Sequence, residues 1–182
     1  MGHVISWEDT FEMGDRRRAG IALGSNVGDR IEHLRSAREA VLAIAGVDDP
    51  ILCSPIYETE PVGTEPHAGS FFNAVIDVGF VGEPLTLLDA LQQIEAAHGR
   101  PSKRPRNAPR TLDLDILYLG NLVLSNEEVV IPHPRLHQRR FVLAPLADIR
   151  PELVLPGQQR SIGQLLAGLS DPASVTMVAE TW

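Results

Sequence analysis

FFNAVIDVGFVGEPLTLLDALQQIEAAHG, Phe71 to Gly99, is the stretch whose reading decides how this chain folds. Its first ten residues are rich in Val, Ile and Phe and predict a strand over Phe71–Phe80. Glu83-Pro84 then opens a helix with Pro near its first turn, Leu85, Leu88, Leu91, Gln92 and Glu95 continue along neighbouring faces, and Gly99 after His98 stops it. The same grammar occurs upstream. Ile21-Ala22-Leu23 is closed by Gly24-Ser25-Asn26, and Asp29 stands at the N-cap position of an amphipathic stretch that ends near Gly46. Ile31, Leu34, Val41, Leu42 and Ile44 form its apolar stripe, with Arg30, Glu32, Arg35, Arg38 and Glu39 on the exposed face.

Two further segments complete the pattern. Ile51–Tyr57 and Leu112–Leu119 read as strands, separated from their neighbours by an irregular loop from Glu58 to Ser70 and by the proline-rich Arg100–Pro109. The order is strand, helix, strand, strand, helix, strand. Two such halves joined by a hairpin predict an α+β, ferredoxin-like βαββαβ antiparallel sheet with both helices on one face. A short strand at Val129–Ile131 and a helix over Phe141–Ile149, despite Pro145, are read as C-terminal additions.

The chain has 182 residues, 43% hydrophobic and 22% charged, which suits one compact domain, read here as residues 19–182 behind an irregular extension over residues 1–18. The formal net charge of −8 argues against broad binding to nucleic acid or anionic lipid, so any anion site must be local. The longest apolar run, Ala40 to Val47, is far short of the roughly 20 residues of a membrane span. Cys53 is the only cysteine, which excludes an internal disulfide or a thiolate zinc site and points to a reducing, cytoplasmic setting. A monomer without nucleic-acid or membrane partners is expected.

Chemistry enters at Arg110-Thr111-Leu112-Asp113-Leu114-Asp115-Ile116-Leu117. The period of a strand sends Asp113 and Asp115 to one face and Leu112, Leu114 and Ile116 to the other. Two carboxylates about 6–7 Å apart repel unless a cation or donor compensates them. Hard oxygen ligands without cysteine favour magnesium, which takes one or two carboxylates and fills its shell with water and phosphate oxygens. An isolated D-x-D can equally line the solvent face of a half-exposed strand. Its neighbour tips the balance: Arg100, Lys103, Arg104, Arg106 and Arg110 put five positive charges into eleven residues just before it. Guanidinium forks beside a metal-binding pair are what a metal–polyphosphate complex requires, with a merely solvated charged loop as the alternative.

No Walker-type or dinucleotide-binding glycine run is present, so phosphates would be held by side chains and metal. His133 and His137 are four apart, but Pro134 between them and the lack of further ligands argue against zinc; His133 better suits a phosphate donor. Phe71, Phe72 and Phe141 have core packing as their default role. Asn73, on a central-looking strand, needs partners for its amide, which the donor–acceptor edge of a heterocycle would supply. Arg139 and Arg140 precede Phe141, so one could face phosphate and the other water.

The run Arg106–Leu117, RNAPRTLDLDIL, resembles the signature of the 6-hydroxymethyl-7,8-dihydropterin pyrophosphokinases of folate synthesis. The resemblance extends in order through Ala22–Asn26, Ser54–Gly63, Phe72-Asn73-Ala74, Gln92 and Glu95 with Gly99-Arg100, and Pro132–Leu143, covering roughly residues 19–157. It implies a ferredoxin-like fold and transfer of the terminal pyrophosphate of ATP to the hydroxymethyl group of the pterin, leaving AMP. It also implies that Asp113 and Asp115 bind two magnesium ions and that Asp115 or a bound water accepts the hydroxyl proton. Phe71 and Phe141 would sandwich the pterin, with Asn73 reading its edge together with backbone groups near Thr59 and Val62, beside Asp113. Gln92, Glu95, Arg100, Arg110, His133 and Arg139 would line the ATP side, and Ile116 would touch adenine through its backbone; Arg100 and Arg110 also count as catalytic by this resemblance.

Some positions depart from the family. Asn107 and Pro134 stand where certain members carry aromatics, Phe71 where some carry Tyr, and Ser102 where some carry Arg. Two other readings compete: an RNA-binding sheet, disfavoured by the negative charge and only nine aromatics, and an enzymatically silent relative that keeps the fold.

Overall fold

The computed structural model describes residues 16–59, 69–99, 111–171 and 173–182. The first half runs β1 (Arg17–Ser25), α1 (Arg30–Leu42), β2 (Val47–Cys53) and β3 (Ile56–Thr59). The second runs β4 (Phe71–Phe80), α2 (Pro84–Ala97) and β5 (Asp113–Leu119). β6 (Leu124–Ser125) and β7 (Val130–Ile131) form a small separate hairpin, followed by α3 (Arg140–Ile149), α4 (Ile162–Ala167) and β8 (Val175–Ala179). The main sheet orders its strands β5-β1-β4-β3-β8, with β2 also on β4, and every pairing is antiparallel.

Both expected helices form where their signals place them. Asp29 caps α1, its carboxylate accepting from the Glu32 N–H at 3.1 Å, and Gly99 follows α2 with φ +82°. Leu34, Ala37 and Val41 of α1 and Leu87 and Leu91 of α2 share one core with Ile21, Leu23, Ile76, Leu114 and Ile116 of the sheet. Apolar burial is the main favourable term here, at roughly 25 cal/mol per Å² of area removed from water. A second core covers part of the other face, where Val142, Leu143 and Leu146 of α3 and Ile162 and Leu165 of α4 meet Val75, Leu117 and Tyr118.

Four expectations change. The strand expected over Ile51–Tyr57 starts earlier, at Val47, and is split by Ser54-Pro55 because Pro55 has no N–H for the ladder. Ser54 bridges the break: its N–H donates to Val75 O at 2.9 Å, and its Oγ accepts from Val75 N–H at 2.9 Å. The extension expected to reach residue 18 is shorter, since Arg17 and Arg18 are the first residues of β1; residues 1–15 lie outside the described residues. Arg30, expected on the exposed face of α1, has its guanidinium 3.7 Å from the Phe72 ring centroid. Finally, β8 was not anticipated and extends the sheet beyond β3, pairing Thr59 with Val175 and Ile56 with Ala179.

Among the described residues no helix is long and apolar enough to cross a membrane.

Candidate active site

The face that α3 and α4 cover is only partly closed, and the site lies at its open end. On this face β1 presents Gly20, Ala22 and Gly24, an alternation of small residues; the Tyr118 ring fills the space over Gly20, whereas the gap at Gly24 lies between residues of the neighbouring strands. Gly24 pairs with Asn73 on one side and Asp113 on the other. A Cβ placed at Gly24 would come within 3.3 Å of Asn73 Oδ1 and 3.9 Å of Asp113 Cβ, so only glycine leaves this gap open.

Asp113 and Asp115 share this face, half-buried, while Leu114 and Ile116 are buried in the opposite core, as strand period requires. The β1–β5 register then shifts: Gly20 pairs with Tyr118 and Ile21 with Ile116, so Leu117 is the extra residue of a bulge. The bulge turns Leu117 and Tyr118 together into the α3–α4 core and breaks the alternation just beyond the carboxylate pair.

β5 is the edge of the sheet, and its outward backbone groups are taken up specifically. Leu114 N–H donates to Glu95 Oε1 at 2.7 Å, and Leu117 O accepts from His133 N–H at 2.8 Å. Because Leu114 N–H points outward, the antiparallel pattern points the Ile116 backbone outward too, between these two anchors. Glu95 is 5% exposed although it is ionisable, which its bond to the strand explains; Gln92, one turn earlier on α2, is exposed.

His133 lies among charges. Burial holds its imidazole below the ordinary histidine value; Asp115 opposes this, and Arg139 and Arg135 add to it. Its Nδ1 accepts from the Arg135 N–H at 3.2 Å, which leaves the proton of the neutral ring on Nε2. Arg139 also reaches the Phe141 ring, 5.5 Å from guanidinium carbon to centroid. Of the two arginines before Phe141, Arg140 is the one bound back to the protein: its backbone N–H donates to Asp171 Oδ2 at 3.1 Å and its Nη2 to Leu169 O at 2.9 Å, tying α3 to the segment after α4.

On the other side of Gly24 from Asp113, Asn73 is 8% exposed, and its Nδ2 donates to Thr59 Oγ1 at 2.8 Å. The side chain of Thr59 is therefore committed to orienting this amide, a role sequence reasoning missed. Phe71 shares the face of Asn73, two residues earlier on β4, and is half-buried like Phe141. The structure thus brings Thr59, Phe71, Asn73, Asp113, Asp115, His133, Arg139 and Phe141 to one end of one face. Glu95 and Ile116 lie at the adjoining edge. Val62, Arg100 and Arg110 lie outside the described residues. Sequence reading also missed Gly24, although the alternation Gly20, Ala22, Gly24 was there to find.

The donor chemistry fits magnesium. Two carboxylates stand together, and among the described residues no group of three or more His, Cys, Asp or Glu side chains could hold an ion alone. A cation bound here would complete its shell with oxygens from outside the protein, which suits magnesium and not a closed tetrahedral zinc site.

A family model described as 7,8-dihydro-6-hydroxymethylpterin-pyrophosphokinase (HPPK) matches residues 20–151. This chain belongs to the HPPK family. The chain is 41% identical over 141 residues to the 2-amino-4-hydroxy-6-hydroxymethyldihydropteridine pyrophosphokinase of Haemophilus influenzae, covering 78% of this chain and 86% of that one. The protein of the same name from Bacillus subtilis is 45% identical over 131 residues, 72% of this chain and 77% of the relative. A solved structure described as HPPK-DHPS in complex with substrates superposes with a TM-score of 0.65 at 16% identity, a likeness of fold alone. It covers 84% of this chain but 44% of that one, so the HPPK chain described here spans less than half of that larger molecule.

Proposed function

We propose that this chain transfers pyrophosphate from ATP to the hydroxymethyl group of 6-hydroxymethyl-7,8-dihydropterin in folate biosynthesis, an ATP-dependent diphosphotransferase. The observation that carries the reading is the pairing of Asn73 and Asp113 across Gly24, which sets a heterocycle-reading amide beside a metal-type carboxylate pair. The β5-β1-β4-β3 order, with α1 and α2 on one face, supports the ferredoxin-like form of the fold.

In this reading Asn73 Oδ1 and the groups near Thr59 and Val62 read the polar edge of the pterin, and Phe71 and Phe141 pack on its ring faces. The pterin hydroxymethyl then lies toward Asp113 and Asp115, which would hold two magnesium ions. Bound magnesium would neutralise the triphosphate and lower the cost of charge developing on its oxygens. Glu95, the outward Ile116 backbone and Gln92 form the nucleotide's base and sugar side. His133, donating from Nε2, joins Arg139, Arg100 and Arg110 around the phosphates; the neutral imidazole donates without adding charge.

The hydroxymethyl oxygen attacks the β-phosphorus, the bond from that phosphorus to the α–β bridging oxygen breaks, and AMP departs with the bridging oxygen. The hydroxyl proton passes to Asp115 or to a water beside it. No covalent enzyme intermediate is needed, since fixed donors stabilise the transition state and positioning supplies the rest, on the order of 7–11 kcal/mol at its upper end. The same proposal makes the chain a cytoplasmic protein with a single domain that begins at β1, and a monomer, which size-exclusion chromatography tests.

Incubation with magnesium, ATP and the hydroxymethyl pterin yields AMP in a pterin-dependent manner. ADP as the nucleotide product, or no dependence on pterin, rejects the reading.

A further inference from the structure

Arg30 opens α1, on the side of the sheet opposite the site. Its Nη1 donates to Ser70 O at 2.8 Å and to Ser70 Oγ at 2.6 Å, and pairs with Glu58 Oε1 at 3.4 Å. The Ser70 hydroxyl donates to the same carboxylate oxygen, closing a triangle. Beneath it the guanidinium carbon stands 3.7 Å from the ring centroid of Phe72, which is 8% exposed and part of the core.

What this triangle joins gives it meaning. Glu58 is the penultimate residue of β3, and Ser70 immediately precedes β4. In the register of these strands Glu58 pairs with Phe72, Thr59 with Phe71 and Tyr57 with Asn73. Strand alternation puts Glu58 and Phe72 on the Arg30 side, and Thr59, Phe71 and Asn73 on the site side. One cation therefore binds the end of β3 and the start of β4 from behind, while the Asn73–Thr59 hydrogen bond spans the same two strands in front.

We propose that Arg30 is a positioning residue for the pterin half of the site. It fixes the separation of β3 and β4 where they leave the ladder, so that Asn73 keeps its bond to Thr59 and its Oδ1 stays turned over Gly24. The inference rests on the pterin assignment above. Charge-assisted bonds from a planar fork are stronger and more directional than neutral ones, and lysine cannot reproduce that fork. Small displacements of a positioning group matter, since about 1 Å of misplacement can cost a hundredfold in rate.

The test is steady-state AMP release by the whole chain, with pterin and ATP varied separately, for wild type, Arg30→Met, Arg30→Lys and Ser70→Ala. Direct pterin binding, followed by its fluorescence with a nonhydrolysable ATP analogue present, provides a readout independent of turnover. Arg30→Met raises the pterin KM and Kd about tenfold and leaves the ATP KM within about twofold, with Arg30→Lys intermediate. Equal rises in both KM values, or a lowered Tm with neither KM moved, overturn the proposal. If Arg30→Met does not fold, Arg30→Lys and Ser70→Ala decide it, because each keeps the cation; the same selectivity for pterin is required of them. Wild type that releases no pterin-dependent AMP sinks the functional reading and this inference together. Active wild type with unselective variants sinks the inference alone.

Discussion

The two ends of one sheet face treat their carboxylates in opposite ways. At the closed end Asp77 is fully buried, and Arg18, Arg150 at 3.7 Å and the Tyr118 hydroxyl all bind its carboxylate. Tyr118 lies across Gly20, filling the space that a side chain on β1 would take. At the open end Gly24 repeats the absence of a side chain on the same strand, but there the gap stays between Asn73 and Asp113, and Asp113 and Asp115 are partly exposed. The same device, glycine on a central strand, is filled by the protein's own aromatic at one end and, in the proposed reading, serves the substrate at the other. Charges satisfied internally hold the sheet together, whereas part-exposed ones at a small-residue gap mark the place where chemistry can be done.

Breaking each end separately tests that contrast. The largest expected effect is at the closed end: Asp77→Ala leaves Arg18 and Arg150 facing a vacated buried site and costs about 3–5 kcal/mol of stability. Denaturant unfolding measures it, and turnover per folded molecule stays near wild type. Asp115→Asn does the reverse, with turnover falling at least about a hundredfold and Tm little changed. An unaffected rate in Asp115→Asn removes the metal assignment, and a large fall in Tm would mean that this carboxylate is structural after all. Next comes Gly24→Ala, whose new methyl stands 3.3 Å from Asn73 Oδ1 and must push the amide aside. It weakens pterin binding about tenfold, the scale of one lost positioned contact, while leaving nucleotide binding intact, a contrast calorimetry can read directly.

These ends were unequally legible in the sequence. The carboxylate pair could be read because strand period alone puts Asp113 and Asp115 on one face, and α1 and α2 could be read because Asp29 and Gly99 punctuate them. Asp77 could not, since its partners come from β1, β5 and the end of α3, and residues 59 apart in sequence meet only once the sheet is registered. Arg30 was misplaced for the same reason: helix periodicity reports which face a residue occupies, not that a neighbouring strand offers Phe72 and Ser70 within reach. β8 was missed because Val175–Ala179 is short and exposed at several positions, so little burial pattern marks it as a strand.

The smallest effect sharpens the contrast through pH. Burial, the larger cause, pushes the Tyr118 phenol up to about 12, with Arg150 and Arg18 partly opposing it. Burial and then Asp148, whose Oδ2 accepts from the hydroxyl at 2.6 Å, push Tyr57 to about 12 as well. A phenol whose folded value is raised stays protonated in the native state while the unfolded chain ionises. The contribution of these two phenols to stability is therefore constant below about pH 10, falls as pH rises through the window from 10 to 12, and levels off beyond it. Tyr118→Phe keeps the ring over Gly20 and removes only the hydroxyl, so it costs about 1 kcal/mol at neutral pH and makes the alkaline fall shallower, leaving the share of Tyr57 in place. Chemical denaturation at pH 8, 10 and 11.5 measures both. If the alkaline slope is as steep in Tyr118→Phe as in wild type, the hydroxyl at the closed end does not titrate with folding, and the buried network rests on Arg18 and Asp77 without it.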